Sequence, residues 1–187
     1  MNSHDNIQMK VYAISEIIGN KDVGIIVLTN IEGTMHIAVV CDNLIKQELQ
    51  LRLKKEKKCS RMLPEVMFNI INQRFGCDYE IIIDEIADGE YYAVVVDKYY
   101  EQSYKMRATD AILLHLISRM PLYATSKIVK EQAMPVAPGN VAMSLPYNAL
   151  SDNMLLDAMK SAIDMEKYEM ASTIRDELKK RGKIKSC

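Results

Sequence analysis

The sequence predicts an α+β fold, with duplicated three-strand-plus-helix units that form antiparallel or mixed sheets in a roll-like arrangement, followed by a C-terminal αα-hairpin. Three observations predict it. Short β-branched runs are separated by turn residues, two such meanders each lead into an apolar helical segment, and a proline-rich stretch precedes two further amphipathic segments. Strand meanders interleaved with helices are typical of the α+β class. The same order of elements in both halves indicates an internal duplication.

The composition is that of a folded chain with no overall basic field. Of 187 residues, 49% are hydrophobic and 26% charged, and the formal net charge is −1. This excludes disorder for most of the length and indicates one domain, or one smaller domain with an appendage. Because the net charge is near zero, any binding to nucleic acid has to come from a local basic patch.

Targeting and membrane signals are not expected in this chain. No run approaches the roughly 18 apolar residues of a membrane helix, and the first residues lack a basic start followed by an apolar stretch. We therefore expect no membrane association and a cytoplasmic location. The four cysteines lie far apart, without metal-ligand spacing, and are expected to be reduced and structural.

The second strand–helix unit has the clearest local signals. Residues 79–86 and 91–96 are rich in strand formers and flank Asp88-Gly89, a pair that favours a two-residue hairpin turn. A third strand is predicted at 103–106. A helix follows over 109–117, with Thr109 as its cap, and it is apolar nearly all round, which predicts burial against a sheet. Pro121 ends it before a short strand at 122–124.

The first unit repeats this order with strands predicted at 9–18, 23–29 and 34–40. Asp42 is the expected cap of a helix. The apolar side of that helix is predicted to carry Leu44, Ile45, Leu49 and Leu53. Between the units lies another helix, with Pro64 near its start and Gly76 at its end. Its helically spaced side chains are Met67, Ile70, Ile71, Arg74 and Phe75.

The composition changes near the C-terminus. Residues 138–150 contain prolines and a glycine and are predicted to be a linker between residues 1–137 and 151–187. Two short amphipathic helices follow, capped at Ser151 or Asp152 and broken near Asp164-Met165. Such short helices are marginal alone, so this hairpin is expected to dock on a partner, on a second copy or on the main domain.

Candidate chemistry centres on Arg107 and Asp110, three residues apart where a strand enters a helix. In a structural interpretation the two side chains pair and hold the junction. In a functional interpretation Asp110 binds a metal or a water and Arg107 holds a phosphate, whose oxygens match a guanidinium bidentately. The chain has no P-loop, nucleophile elbow or zinc motif, and unpaired histidines leave Ser-His and Cys-His catalysis unsupported.

A local basic patch follows the first helix. It consists of Lys54, Lys55, Lys57, Lys58 and Arg61, and a second basic cluster lies at 179–185. Either cluster has the charge to contact nucleic-acid phosphates, but a helix end and a chain end are also common places for solubilising lysines.

The stretch that starts Arg107-Ala108-Thr109-Asp110, with Met120-Pro121-Leu122-Tyr123-Ala124 after it, resembles the most characteristic block of the bifunctional nuclease domain. The hairpin around Asp88-Gly89 is also similar to that family, and the likeness extends over residues 9–137. The resemblance implies an α+β roll, oligomerisation and nuclease activity on RNA or DNA. Phosphodiester hydrolysis needs an activated water and stabilised phosphate charge. The candidate residues are Arg107 for phosphate, and Asp110 and Glu65 for water or for Mg²⁺ or Mn²⁺.

The chain departs from the family pattern at the middle helix. The family typically begins it Arg-Pro-Leu-Thr-His-Asp, whereas this chain has Arg61-Met62-Leu63-Pro64-Glu65, without the histidine and the aspartate. Three hypotheses follow. The chain is a metal-dependent nuclease, or it is a catalytically degenerate scaffold that acts through its C-terminal hairpin. In the third, the roll senses a small ligand or a stress signal, and nothing in the sequence selects a ligand.

The C-terminal hairpin itself is similar to the UVR motif of excinuclease subunits, in a combination with a nuclease-like domain that is typical of bacteria. The resemblance implies a protein partner for residues 151–181. The residues that carry it are Tyr168, Glu169, Ala171, Ile174, Arg175 and Asp176. The small side chain of Ala171 is expected to let two helices approach, while Arg175 and Asp176 are available to pair with the partner.

Overall fold

A computed structural model of the chain describes residues 6–17, 20–76, 78–136, 147 and 150–184. Eight strands form one mixed sheet. The strands are β1 (Asn6–Ile17), β2 (Asn20–Asn30), β3 (Met35–Asp42), β4 (Tyr79–Ala87), β5 (Glu90–Asp97), β6 (Gln102–Arg107), β7 (Leu122–Thr125) and β8 (Met134–Pro135). The helices are α1 (Asn43–Leu53), α2 (Leu63–Phe75), α3 (Ala108–Ser118), α4 (Ser126–Gln132), α5 (Asp152–Asp164) and α6 (Tyr168–Lys180), with a 3-10 turn at Lys57–Arg61.

The sheet has the order β6-β5-β4-β7-β1-β2-β3-β8, and it is antiparallel except between β4 and β7. Both meanders are therefore present, β1–β3 before α1 and β4–β6 before α3. The α+β class is confirmed, and an origin by duplication stays a prediction. Helix α3 contacts β5 and β6 at one end of the sheet and β3 near the other, so the sheet curls around this helix.

The core lies between α3, α1 and α4 and the inner face of the sheet. Its largest fully buried side chains include Leu28, Ile37, Ile83, Ile112 and Leu122. Alternation along β5 is regular, with each inward residue buried and its neighbours half-buried, as a one-sided antiparallel sheet requires. The predicted burial of α3 is confirmed for one side of the helix: Ala108, Ala111 and Ile112 are fully buried, whereas its other residues are half-buried.

Several local predictions are confirmed. Asp88 (φ 51°) and Gly89 (φ 82°) form the left-handed turn between β4 and β5. The Asp42 carboxylate accepts a hydrogen bond from the Ile45 backbone N–H at 2.8 Å and caps α1. Gly76, at φ 67°, ends α2. The cap assigned to Thr109 is wrong, since α3 begins one residue earlier and Arg107 occupies its N-cap position without a side-chain cap.

The predicted apolar side of α1 is wrong for two of its four residues. Leu49 is fully buried, but Leu44 and Leu53 are 75% and 39% exposed, and Lys46 and Arg52 are buried instead. The aliphatic stem of Lys46 lies against β2, where a Cβ added at Gly24 would come within 2.9 Å of Lys46 Cδ. Long charged side chains cover apolar surface in this way, with the charged head at the edge.

Helices α5 and α6 form the predicted αα-hairpin around a small core of its own, made by Leu155, Ile174 and Leu178 with Leu150. Ala162 and Ala171 are buried where the helices approach each other. Most of the predicted linker at 138–150 lies outside the described residues. Within the described part of the chain, no helix has the length and apolar character needed to cross a membrane.

Candidate functional site

A basic pocket opens where the end of α1, the 3-10 turn and the start of α2 meet the end of α3. Its cavity volume is about 830 Å³. The basic side chains that line it are Arg52, Lys55, Lys57, Lys58 and Arg61; the other lining residues are Glu56, Cys59, Ser60, Glu65, Leu116 and Ile117. Five basic side chains therefore face two acidic ones. Of the predicted basic patch, only Lys54 is not part of this lining.

The rim of the basic pocket consists of exposed basic side chains on one short segment of the chain. Lys55, Lys57, Lys58 and Arg61 are all exposed. Lys55 adopts a left-handed conformation (φ 54°), which reverses the chain after α1, and the 3-10 turn then holds the next basic residues together. The thiol of Cys59 is buried beneath them. This local reversal concentrates cations on one side of a chain whose net charge is −1.

The floor of the basic pocket is Arg52, whose side chain is 4% exposed. Arg52 Nη1 donates to Glu48 Oε2 at 2.6 Å and Nη2 donates to Glu65 Oε2 at 3.0 Å. Its Nε lies 2.9 Å from Glu65 Oε1, which is an ion-pair distance outside hydrogen-bond geometry. Burial alone would lower the pKa of Arg52, but the hydrogen bonds to the two glutamates outweigh it and raise the pKa. Arg52 is therefore positively charged, and its charge is balanced by Glu48 and Glu65 of the same chain.

One wall of the basic pocket is apolar. Leu116 and Ile117, in the last turn of α3, are half-buried and line it. The pocket thus combines exposed cations with an aliphatic surface. Sequence reasoning missed Arg52 and these two residues. The spacing of Glu48 and Arg52, a favourable pair four residues apart on one helix, was the available signal for the floor.

The predicted pair Arg107 and Asp110 forms a two-point ion pair at the start of α3. Arg107 Nε donates to Asp110 Oδ2 at 2.8 Å and Nη2 donates to Oδ1 at 3.1 Å. The side chains are 50% and 33% exposed, so the pair opens onto solvent. The hydrogen bond to Asp110 raises the pKa of Arg107, and the charges of Asp42 and Glu90 add to this. Both interpretations of the pair are compatible with this geometry.

The three predicted catalytic residues do not converge. Glu65 lies in the basic pocket and is held by Arg52, whereas Arg107 and Asp110 lie at the other end of α3. Leu116 in the pocket wall follows Asp110 by six residues, about 9 Å along the helix axis. The fold therefore assigns Glu65 and Asp110 to different partners and different surfaces.

A divalent metal is implied by the predicted chemistry, and the described carboxylates do not fit one. Both oxygens of Asp110 accept from Arg107, and both oxygens of Glu65 face Arg52. Among residues 6–17, 20–76, 78–136, 147 and 150–184, no three His, Cys, Asp or Glu side chains are grouped closely enough to hold an ion. The donor set expected for Mg²⁺ or Mn²⁺ is not assembled there.

The predicted partner-binding residues of the hairpin divide into two groups. Ala171 (8% exposed) and Ile174 (0%) lie inside the hairpin and pack its helices together. Tyr168 is 65% exposed, Glu169 is exposed, and Arg175 bonds to Asp176 at 3.4 Å on the surface. Three further exposed apolar side chains lie close to Tyr168 in the sequence: Ile163, Met165 and Met170.

Arg181 fastens the base of the hairpin. Its side chain is 4% exposed, Nη1 donates to the Leu150 carbonyl at 2.7 Å, and Nε donates to Glu177 Oε1 at 2.9 Å. The Leu150 carbonyl in turn lies against Gly89 in the turn between β4 and β5. Arg181, one member of the basic cluster at 179–185, is thus held by acceptors within the chain.

Comparison with family models adds the decisive observation. The model of the bifunctional nuclease domain matches residues 26–137, which include β3, the basic pocket, the hairpin turn at Asp88-Gly89 and the Arg107–Asp110 pair. The chain belongs to the bifunctional nuclease domain family. Membership of this family indicates a nuclease-like or nucleic-acid-binding function. Comparison with the curated proteins gives no match.

Proposed function

We propose that this bifunctional nuclease domain protein binds nucleic acid at the basic pocket and cleaves it beside the Arg107–Asp110 pair. The observation that carries the proposal is the pocket itself. Four exposed basic side chains surround an apolar wall, while the buried Arg52 is already neutralised by Glu48 and Glu65. The exposed cations are therefore available to phosphates, and the wall is available to a base.

The Arg107–Asp110 pair is suited to work on a phosphate. Arginine has five N–H donors, and Asp110 takes two of them, so three remain for phosphate oxygens. The ion pair holds the guanidinium in place before substrate arrives, which lets it stabilise charge that builds up during hydrolysis. Each Asp110 oxygen keeps acceptor capacity to orient a water molecule. In this proposal Glu65 takes no part in the chemistry and holds the Arg52 side chain in position.

Binding is tested by charge reversal at the pocket with a control of equal charge. The variant K57E/K58E changes two rim lysines, and K127E/K130E changes two exposed lysines on α4. We expect the first variant to bind a fluorescent single-stranded RNA or DNA on the order of tenfold more weakly at 0.1 M salt, because two phosphate contacts are lost. Equal affinity for both variants contradicts the proposal.

Cleavage is tested separately with a labelled single-stranded RNA, in buffers with Mg²⁺, with Mn²⁺ and with a chelator. We expect R107A and D110A to lower the cleavage rate by a factor of about 100 or more, since an oriented charge partner of the transition state contributes on the order of 3 kcal/mol. K127A serves as the control. Equal residual rates in wild type and in both site variants would identify a contaminating nuclease.

A second function is favoured by the exposed apolar side chains at the far end of the hairpin. Tyr168 and Met165 are each 65% exposed and Met170 is 41% exposed, while Ala162 and Ala171 are buried inside the hairpin. We propose that this end docks on a protein partner, as the likeness to the UVR motif implies. The scaffold hypothesis needs this contact alone, whereas the nuclease hypothesis uses it as an accessory.

The docking role is tested with full-length protein as bait. The variant Y168S/M170S removes two exposed apolar side chains from the hairpin end, and Y12S removes one from β1, where Tyr12 is 63% exposed. We expect the first variant to lose proteins that wild type and Y12S both retain. An unchanged set of retained proteins would discard the docking role without bearing on nucleic-acid binding.

A further inference from the structure

Helix α2 presents its apolar side to solvent. The exposed fractions are Leu63 73%, Val66 39%, Met67 45%, Ile70 47% and Ile71 42%. These positions recur at intervals of three and four and form one stripe along the helix. Phe68 lies on the opposite side and is half-buried. An apolar stripe on a helix normally faces the protein core, but the stripe on α2 faces away from it.

Such a stripe has the properties of an interface. A surface helix of a monomer directs its apolar stripe inward, and large contiguous apolar patches on a protein surface mark contact sites. At the exposed fractions given above, the five side chains leave on the order of 500 Å² uncovered, which is comparable with the largest patches on monomers. Two copies of the stripe together would bury about 1,000 Å², the threshold expected for a specific interface.

The charge distribution on α2 favours a second copy as the occupant. Glu65 and Arg74 are the two charged residues of the thirteen in the helix, and Glu65 is turned toward Arg52. The centre of the stripe is flanked by the uncharged Asn69, Asn72 and Gln73. Two such stripes meet without opposed like charges, provided that the two Arg74 side chains lie at opposite ends.

We infer that α2 is a self-association surface, on which the α2 of a second copy packs antiparallel about a two-fold axis near the middle of the helix. The antiparallel arrangement separates the Arg74 side chains and opposes the helix dipoles, whereas a parallel arrangement would bring like ends together. A two-fold interface uses the same patch on both subunits, so one apolar stripe is sufficient. This inference does not depend on nucleic-acid binding.

The oligomeric state tests the surface. Sedimentation equilibrium of the full chain is measured for wild type, I70E and L44E. Leu44 is the matched control because it is 75% exposed on α1, outside the stripe. We expect wild type and L44E to be dimeric at micromolar concentration and I70E to be monomeric, with circular dichroism showing equal helix content. A monomeric wild type, or an I70E protein that dimerises as wild type does, overturns the inference.

Disulfide cross-linking tests the orientation. In a C77S/C187S background, the remaining Cys41 and Cys59 are buried. With a two-fold axis midway between residues 63 and 74, the two copies of position 70 lie about 5 Å apart along the axis and the two copies of position 63 about 17 Å apart. Since a disulfide needs Cα atoms within about 7 Å, we expect I70C to cross-link and L63C not to. Efficient cross-linking of L63C contradicts the antiparallel arrangement.

Discussion

Arg52 is the residue on which the pocket depends most. It is a full charge with 4% side-chain exposure, and its two glutamate partners come from α1 and from α2. A buried ion pair contributes little to stability relative to a well-packed apolar pair, but losing one partner is costly because the other charge stays buried. Arg52 therefore joins two helices and at the same time keeps Glu65 from opposing the rim cations.

Replacing Arg52 leaves Glu65 without its partner in a site where it is 13% exposed. We expect R52M to lower the free energy of unfolding by about 3 kcal/mol. The control is R175M, whose partner Asp176 is 65% exposed and where the loss should be about 0.5 kcal/mol. Urea denaturation measures both. The free energy of unfolding should recover in R52M/E65L, where no unpaired Glu65 remains. If it does not recover, the loss in R52M comes from packing and not from the unpaired charge of Glu65.

His36 makes stability depend on pH. It is 8% exposed, its Nε2 finds no hydrogen-bond partner among the described residues, and its cross-strand neighbour Thr29 has an equally unpartnered Oγ1. Burial lowers the pKa of His36 below its ordinary 6.5. The unfolded chain therefore takes up this proton before the folded chain does, so stability is full above pH 6.5 and falls below it.

The substitution H36L removes this proton uptake. We expect the loss of unfolding free energy between pH 7 and pH 5 to be smaller in H36L than in wild type, because the variant no longer has a histidine that only the unfolded state protonates. Chemical denaturation at both pH values measures the difference. An identical loss in both proteins would show that other groups cause the acid sensitivity.

At the scale of elements, the turn between β4 and β5 couples the sheet to the C-terminal hairpin. Glycine is required at position 89 for two reasons. Its φ of +82° is strained for other residues, and an added Cβ would lie 2.3 Å from the Leu150 carbonyl oxygen. Leu150 belongs to the small core of the hairpin, and Arg181 donates to the same carbonyl. One backbone contact thus serves the turn and the hairpin together.

Replacing this glycine should separate the two elements. We expect G89A to cost about 1 to 3 kcal/mol in strain at the turn and to expose the hairpin to proteases. Limited proteolysis followed by mass spectrometry compares the cleavage rate within residues 150–184 in G89A with that in wild type. The control is G33A, also at positive φ (72°) but with open space around its Cβ position. Equal cleavage of both variants contradicts the coupling.

At the scale of the whole molecule, the basic pocket is a local exception in a nearly neutral chain. Two acidic side chains of the β4–β6 meander are paired with a nearby lysine, Glu80 with Lys98 at 3.1 Å and Glu85 with Lys105. The rim lysines of the pocket have no comparable ion pair among the described residues. Attraction of a polyanion should therefore be short-ranged, confined to the pocket and sensitive to salt.

The salt dependence of binding follows from the number of basic side chains at the rim of the pocket. Four rim cations that each neutralise one phosphate of a single strand predict a slope of about −3 for log affinity against log salt. The neutral variant K57Q/K58Q should reduce the size of the slope by about 1.4, and K127Q/K130Q should leave it unchanged. Affinity titrations between 50 and 200 mM salt measure it. A slope near zero would mean that binding does not use the phosphates.

Local physical chemistry in the sequence was sufficient for much of this fold. The turn at Asp88-Gly89, the Asp42 cap, the end of α2 at Gly76 and the apolar α3 each depend on neighbours within a few residues, and each is confirmed. The Arg107–Asp110 pair was also predictable, because the N-cap residue and the third residue of a helix lie close together. The family-specific pattern of the nuclease domain lies in these same segments.

Only the tertiary structure decided which helix faces meet the core and which distant residues share a site. Periodicity groups Leu44 with Leu49, and Met67 with Ile70, but it does not say that Leu44 and the α2 stripe face solvent. Arg52 became the floor of a pocket, and Glu65 was separated from Asp110, through contacts between segments far apart in the chain. Local patterns determine turns, caps and helices, because their partners are covalent neighbours; sites and interfaces depend on how those elements pack.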